Sequence, residues 1–227
     1  MIRIVRTRVR AEVPPLSDIT VKEVGGRLYA SAEESSNELV ELRDKGVEID
    51  VREGSLEIVT IILTTVGALY AVLVTYDGFW SGVERVRAHA KQVGEALARR
   101  AAVEAESVGG NVISTNVTLG HLAKLHRVHR ALKAGDIDAD AAVLEVVSTL
   151  RTAGDPITAD VIWQVERALG ASSKGLARLT ERAPKRSADR DVEGWGPSPP
   201  SPPRERRRRL TIRRRPGERT PTIKFDS

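Results

Sequence analysis

The sequence predicts an α+β protein, mostly helical, with a small N-terminal sheet, a long apolar helix, a helical bundle and a disordered C-terminal tail. Three observations set that class. Short stretches near the N-terminus alternate apolar and charged residues; residues Ile58 to Tyr76 run without a charge; and the composition changes abruptly to Pro, Ser, Gly and Arg after Ala183. The boundaries that follow are 1–55 for a small α/β module, 56–107 for the apolar helix plus an amphipathic one, 108–182 for a bundle of short helices and 183–227 for the tail.

Taken in order, residues 2–13 read as a strand, with Val5, Thr7, Val9, Ala11 and Val13 on one face and Ile4, Arg6, Arg8 and Arg10 on the other, ended by Pro14-Pro15. The row Arg3, Arg6, Arg8, Arg10 suits either contact with nucleic acid or an edge kept from aggregating by charge. A second strand is expected over Ile19 to Ala30, broken by Gly25-Gly26, and then a helix from Glu33 to Lys45 capped by Gly46. Val47, Ile49 and Val51 alternate with Glu48, Asp50 and Arg52, the clearest strand in the chain.

The run Ile58 to Tyr76 is central to the reading. About 19 residues at 1.5 Å rise span roughly 28 Å as a helix, close to the hydrocarbon thickness of a bilayer. Tyr76, Phe79 and Trp80 would then lie at an interface. This predicts a membrane-embedded helix and a single-pass membrane location. The alternatives are a buried helix of a cytoplasmic α+β protein or two buried strands, which the Val, Ile and Thr content also suits.

From Phe79 to about Glu106 a second helix is expected. Phe79, Val83, Val86, Ala90, Val93 and Leu97 alternate spacings of four and three, a coiled-coil seam able to pair two copies of the chain or to pack as a hairpin. Ser107 to Ser114 reads as a glycine-containing break. Three helices follow, with Leu119, Leu122, Leu125, Val128 and Leu132 on the first, Val143, Leu144, Val147 and Leu150 on the second, and Val161, Ile162, Val165 and Leu169 on the third.

No residue set supports catalysis or a cofactor. The chain lacks a phosphate-binding glycine loop, G-x-S-x-G and H-E-x-x-H. It has no cysteine, so thiolate metal sites and thiol nucleophiles are excluded. Asp136, Asp138 and Asp140 have the spacing that opens a calcium loop, but Ala141 stands where glycine is required and Val147 where a bidentate glutamate is required; helix capping explains them better. His121, His126 and His129 share a helix with Lys124, Arg127 and Arg130 and no carboxylate, which disfavours a metal and leaves a weakly basic surface. The expectation is a non-enzymatic protein.

Charge is uneven. Residues 183–227 hold 13 Lys/Arg against 6 Asp/Glu, while residues 1–182 hold 23 against 25. A polyanionic partner therefore belongs to the tail, through Arg206, Arg207, Arg208, Arg209, Arg213, Arg214 and Arg215. Two functions follow: a membrane-associated interaction or scaffold protein whose tail meets anionic lipid, or a soluble α+β protein that binds nucleic acid through that tail.

Overall fold

A computed structural model describes residues 1–39, 42, 44–53, 56–73, 78–152, 159–170 and 208–226. In chain order these form β1 (Ile2–Glu12), α1 (Asp18–Asn37), β2 (Lys45–Arg52), β3 (Leu56–Thr64), α2 (Val66–Leu73), α3 (Phe79–Ser107), β4 (Asn111–Thr118), α4 (Gly120–Ala134), α5 (Ala139–Arg151), α6 (Ala159–Leu169), β5 (Arg209–Arg214) and β6 (Thr222–Asp226). The six strands make one sheet in the order β4-β1-β3-β2-β5-β6, antiparallel at every pairing. Leaving α2 aside, β1 to β4 with α1 and α3 follow the split βαββαβ, ferredoxin-like path, in which the two crossover helices fall on one face of the sheet. Here α1 packs on β2, and α3 packs on β1, β4 and α1.

The apolar run is the main correction. It does not form a long helix: its first half is β3, the strand between β1 and β2, and its second half is the short helix α2. Thr65 divides them. Its hydroxyl accepts the Ala68 N–H at 3.1 Å and its carbonyl accepts the Leu69 N–H at 3.1 Å, the pattern of a helix start. A strand paired on both sides and buried on both faces carries an unbroken apolar sequence, which imitates a membrane span. Among the described residues no helix is long and apolar enough to cross a membrane, so the transmembrane helix and the single-pass membrane location are withdrawn. Residues 74–77, the end of the expected span, lie outside the described residues.

The sheet is not small, and it is not confined to the N-terminus. The break expected over Ser107 to Ser114 runs into a strand: residues 111–118 are β4, whose Asn, Ser and Thr content and largely exposed side chains conceal it. The expected strand over Ile19 to Ala30 is the middle of α1. Ser17 caps that helix, accepting the Thr20 N–H at 3.1 Å, and Val21, Val24, Leu28 and Ala32 recur at helical spacing. Gly25 is not a turn. A Cβ there would meet the tip of the Leu210 side chain, so the C-terminal hairpin docks closely on α1 at this bare backbone. The helix expected from Glu33 to Lys45 is instead the end of α1, which stops at Asn37; Lys45 and Gly46 already belong to β2.

The tail is corrected in part. Residues 209–226 are not disordered: β5 pairs with β2 from Val47–Arg214 to Arg52–Arg209, β6 pairs with β5, and Leu210 and Ile212 are buried. Residues 183–207 of the expected disordered tail lie outside the described residues, as do Arg206 and Arg207.

The seam on α3 is present, but Phe79, Val83, Val86, Ala90, Val93 and Leu97 are all buried in the core of their own chain. The helix comes close to the sheet at Gly94, where a Cβ would come within 2.6 Å of methyl groups of both Val5 and Val117. The expected helices α4, α5 and α6 form; α4 and α6 pack on α3, and α5 lies between them. Asp138 caps α5 through its carboxylate to the Ala141 N–H at 2.7 Å, as the capping explanation of the acidic run expects.

Candidate nucleic-acid interface

Both described helices that pack flat on the sheet, α1 and α3, lie on one side, and among the described residues no other helix lies flat on the opposite face. Strand register identifies the residues on that face. One row across it reads Ser114, Arg10, Glu57, Arg52, Arg209, Asp226; the next reads Asn116, Arg8, Val59, Asp50, Thr211, Lys224; a third reads Thr118, Arg6, Ile61, Glu48, Arg213, Thr222. Arg3 lies beyond, opposite Leu63. The face thus presents eight cationic side chains and four carboxylates.

The apolar stripe at its centre, Val59, Ile61 and Leu63, packs with Met1 as a small cluster separate from the main core, with exposures of 5%, 9% and 5%. Both chemical halves of the face therefore derive from strand periodicity: the residues between the buried positions of β1 and β2 are charged, and those of β3 are apolar.

Charge is distributed asymmetrically. On the β2–β5 side, arginines meet carboxylates: Arg209 reaches Asp50 through two bonds of 2.8 and 2.9 Å, and Arg52 reaches the same carboxylate at 2.8 Å. The Asp50 hydrogen bond holds the Arg209 pKa above the usual arginine value. Arg213 lies 3.5 Å from Glu48, Arg208 lies 2.9 Å from Asp18 and 3.5 Å from Glu53, and Arg214 lies 2.8 Å from Glu33. Arg215 is exposed, with its backbone N–H bonded to Glu218 at 3.0 Å. Of the tail arginines singled out in the sequence, the structure brings Arg209 and Arg213 onto the open face. It directs Arg208 and Arg214 to carboxylates on or beside α1, and four of the five described are neutralised within the chain.

The β1 side is different. Arg8 bonds Glu57 at 2.6 Å, but Arg3, Arg6 and Arg10 make no ion pair among the described residues. The Arg6 Nε is shielded from solvent and has no hydrogen-bond partner. Burial pushes the Glu57 pKa up, yet the Arg8 hydrogen bond and the charges of Arg8, Arg10 and Arg52 outweigh it and hold the carboxyl below its usual value. Arg6 and Arg8 line a groove of about 200 Å³ with Asn116 and Thr118 of β4. A second depression of about 380 Å³ opens at the other end of the face, lined by Glu48, Thr211, Arg213, Arg215, Glu218, Thr222 and Lys224.

Guanidinium groups beside neutral amide and hydroxyl groups form a donor-rich surface suited to phosphate and sugar oxygens. Among the described residues the three rows contain no aromatic side chain on which a base could stack. The arginine row on β1 was legible in the sequence. Asn116 and Thr118 were not, because β4 itself was missed; its density of Val, Ile and Thr was the available signal.

The histidines of α4 serve the fold. His121 accepts the Arg3 N–H on Nδ1 at 3.2 Å and lies 3.4 Å from the Thr152 hydroxyl; burial holds its pKa below the usual histidine value, and the charges of Lys124, Arg3 and the N-terminus act in the same direction. His129 stacks on Trp80, with ring centroids 4.7 Å apart and planes 8° apart, and approaches Glu84 at 3.3 Å. Burial also lowers the His126 pKa, with Arg87 adding to it. Among the described residues no group of three His, Asp or Glu is placed to hold a metal ion.

Comparison of the chain with family models, with curated proteins and with solved structures gives no match in any of the three.

Proposed function

We propose that the protein binds nucleic acid through the open face of its sheet, with the phosphate backbone lying along β1 and the C-terminal strand β5 extending the surface. The observation that carries this reading is that Arg3, Arg6 and Arg10 on β1 make no ion pair among the described residues, with Arg6 lining a groove beside the neutral Asn116 and Thr118. A cationic surface of this kind, without stacking rings, favours backbone contacts over base readout. Binding is therefore weakly dependent on base sequence and strongly dependent on salt. Of the tail arginines, Arg209 and Arg213 lie on the same face, beside Asp50 and Glu48.

The test is fluorescence anisotropy with a labelled single-stranded oligonucleotide between 50 and 200 mM salt. Engaging four phosphates gives a log–log slope of about −3 for a single strand, or roughly a 50-fold loss of affinity over that range. The double variant Arg6→Gln/Arg10→Gln reduces the slope to about half. Absence of binding at the lowest salt, or an unchanged slope in the variant, refutes the assignment.

A further inference from the structure

The two edges of this sheet are built differently, and the difference points to a partner for one of them. At the β6 edge the strand is short, follows Pro221 and carries Lys224 and Asp226, which are common ways of keeping an edge from pairing. At the other edge β4, NVISTNVT, has eight residues without a charge or a proline. Six of the eight are exposed, and Ile113 is 58% exposed. The bulge in its pairing with β1 sits opposite Arg10 and Ala11, which leaves Ser114–Thr118 as a regular, unprotected edge.

We infer that β4 pairs with β4 of a second copy of this chain, antiparallel and about a two-fold axis perpendicular to the sheet. The choice of a second copy rests on charge. A strand with no ionisable group places no like charges opposite one another when it meets itself, which is the requirement of an isologous interface. Face parity fixes the allowed registers, because side chains that alternate between faces can meet their equivalents only when the axis passes through a residue. Centred on the regular segment, the axis passes at Asn116, so Asn116 faces its own copy and Ser114 faces Thr118 of the partner copy.

The resulting sheet has twelve strands with both open faces on the same side. The two β1 arginine rows are then three strand spacings apart, roughly 14 Å. The pairing does not depend on nucleic-acid binding and is measured without it.

Because the chain has no cysteine, Asn116→Cys introduces a single thiol. Directly opposed residues of an antiparallel pair have Cα atoms about 4.5–5.5 Å apart, inside the range a disulfide spans. Sedimentation equilibrium of the native full chain is expected to give twice the 24.8 kDa of one chain. Mild oxidation is expected to convert Asn116→Cys to covalent dimer, while Thr222→Cys at the other edge stays monomeric. A native chain that sediments as a monomer at tens of micromolar, or equal crosslinking at the two positions, overturns the inference.

Discussion

Replacing Leu210 by alanine tests whether the C-terminal hairpin is part of the fold. Leu210 is 1% exposed, lies between Val51 of β2 and Phe225 of β6, and packs against the bare backbone of Gly25 in α1. Its removal takes away a full side chain's apolar burial and leaves a cavity, for which Leu→Ala changes in cores cost about 2.7–5 kcal/mol. The walls here are a strand ladder and a helix, both held by other contacts, so little collapse is available and a loss of about 3 kcal/mol is expected. With a urea dependence of about 2 kcal/mol/M, the unfolding midpoint falls by roughly 1.5 M. Ile223→Ala on the same hairpin is the control, because Ile223 is 63% exposed and its loss is expected to cost under about 0.5 kcal/mol. Urea titrations followed by circular dichroism supply both numbers. If the two variants melt alike, β5 is not docked on α1 and the extended sheet is wrong.

Further outcomes follow from individual contacts. Gly94→Val forces branched carbons into space already held by methyl groups of Val5 and Val117, and thermal melts are expected to show a loss of about 1–3 kcal/mol. The half-buried histidine His121, its pKa lowered, makes stability pH-dependent. Its folded pKa lies below its unfolded one, so its contribution is complete above about pH 6.5 and is lost as the pH falls through the folded value. His121→Asn keeps an acceptor for the Arg3 N–H without a titrating group, and denaturant midpoints measured from pH 7.5 to 5 are expected to fall less steeply than in the native chain. Arg8→Gln removes the partner that holds Glu57 below its usual pKa, and NMR titration of that carboxyl is expected to move its midpoint upward.

Elements with one buried face were legible in the sequence. Alternation in β2, the four-and-three spacing of α3, and the buried leucines and valines of α4 and α5 all appear in the structure on the elements where periodicity placed them. Elements whose environment comes from distant parts of the chain were not. The β3 strand has no polar face because β1 and β2 flank it and side chains cover both surfaces, so its sequence lacks the period that marks a strand and its length plus that of α2 imitates a bilayer span. For α1, the pair Gly25-Gly26 resembled a turn because the reason for Gly25 is Leu210, far along the chain. The arginines of the tail were visible as charge, but their partners Asp50, Glu48, Glu33 and Asp18 became visible only when β5 was placed beside β2. The candidate interface was half legible: Arg3, Arg6, Arg8 and Arg10 formed a row in the sequence, whereas the sheet face that sets the row beside β4 and β5 is a property of topology.

Chemical-shift mapping of the amide and arginine side-chain resonances during titration with a single-stranded oligonucleotide locates the contact directly. Occupation of the open face moves Arg3, Arg6, Arg8 and Arg10 together with Asn116, Thr118 and Arg213, and leaves Lys124, Arg127 and Arg130 of α4 in place. Shifts that gather on α4, or that spare β1 while the oligonucleotide is bound, contradict the assignment.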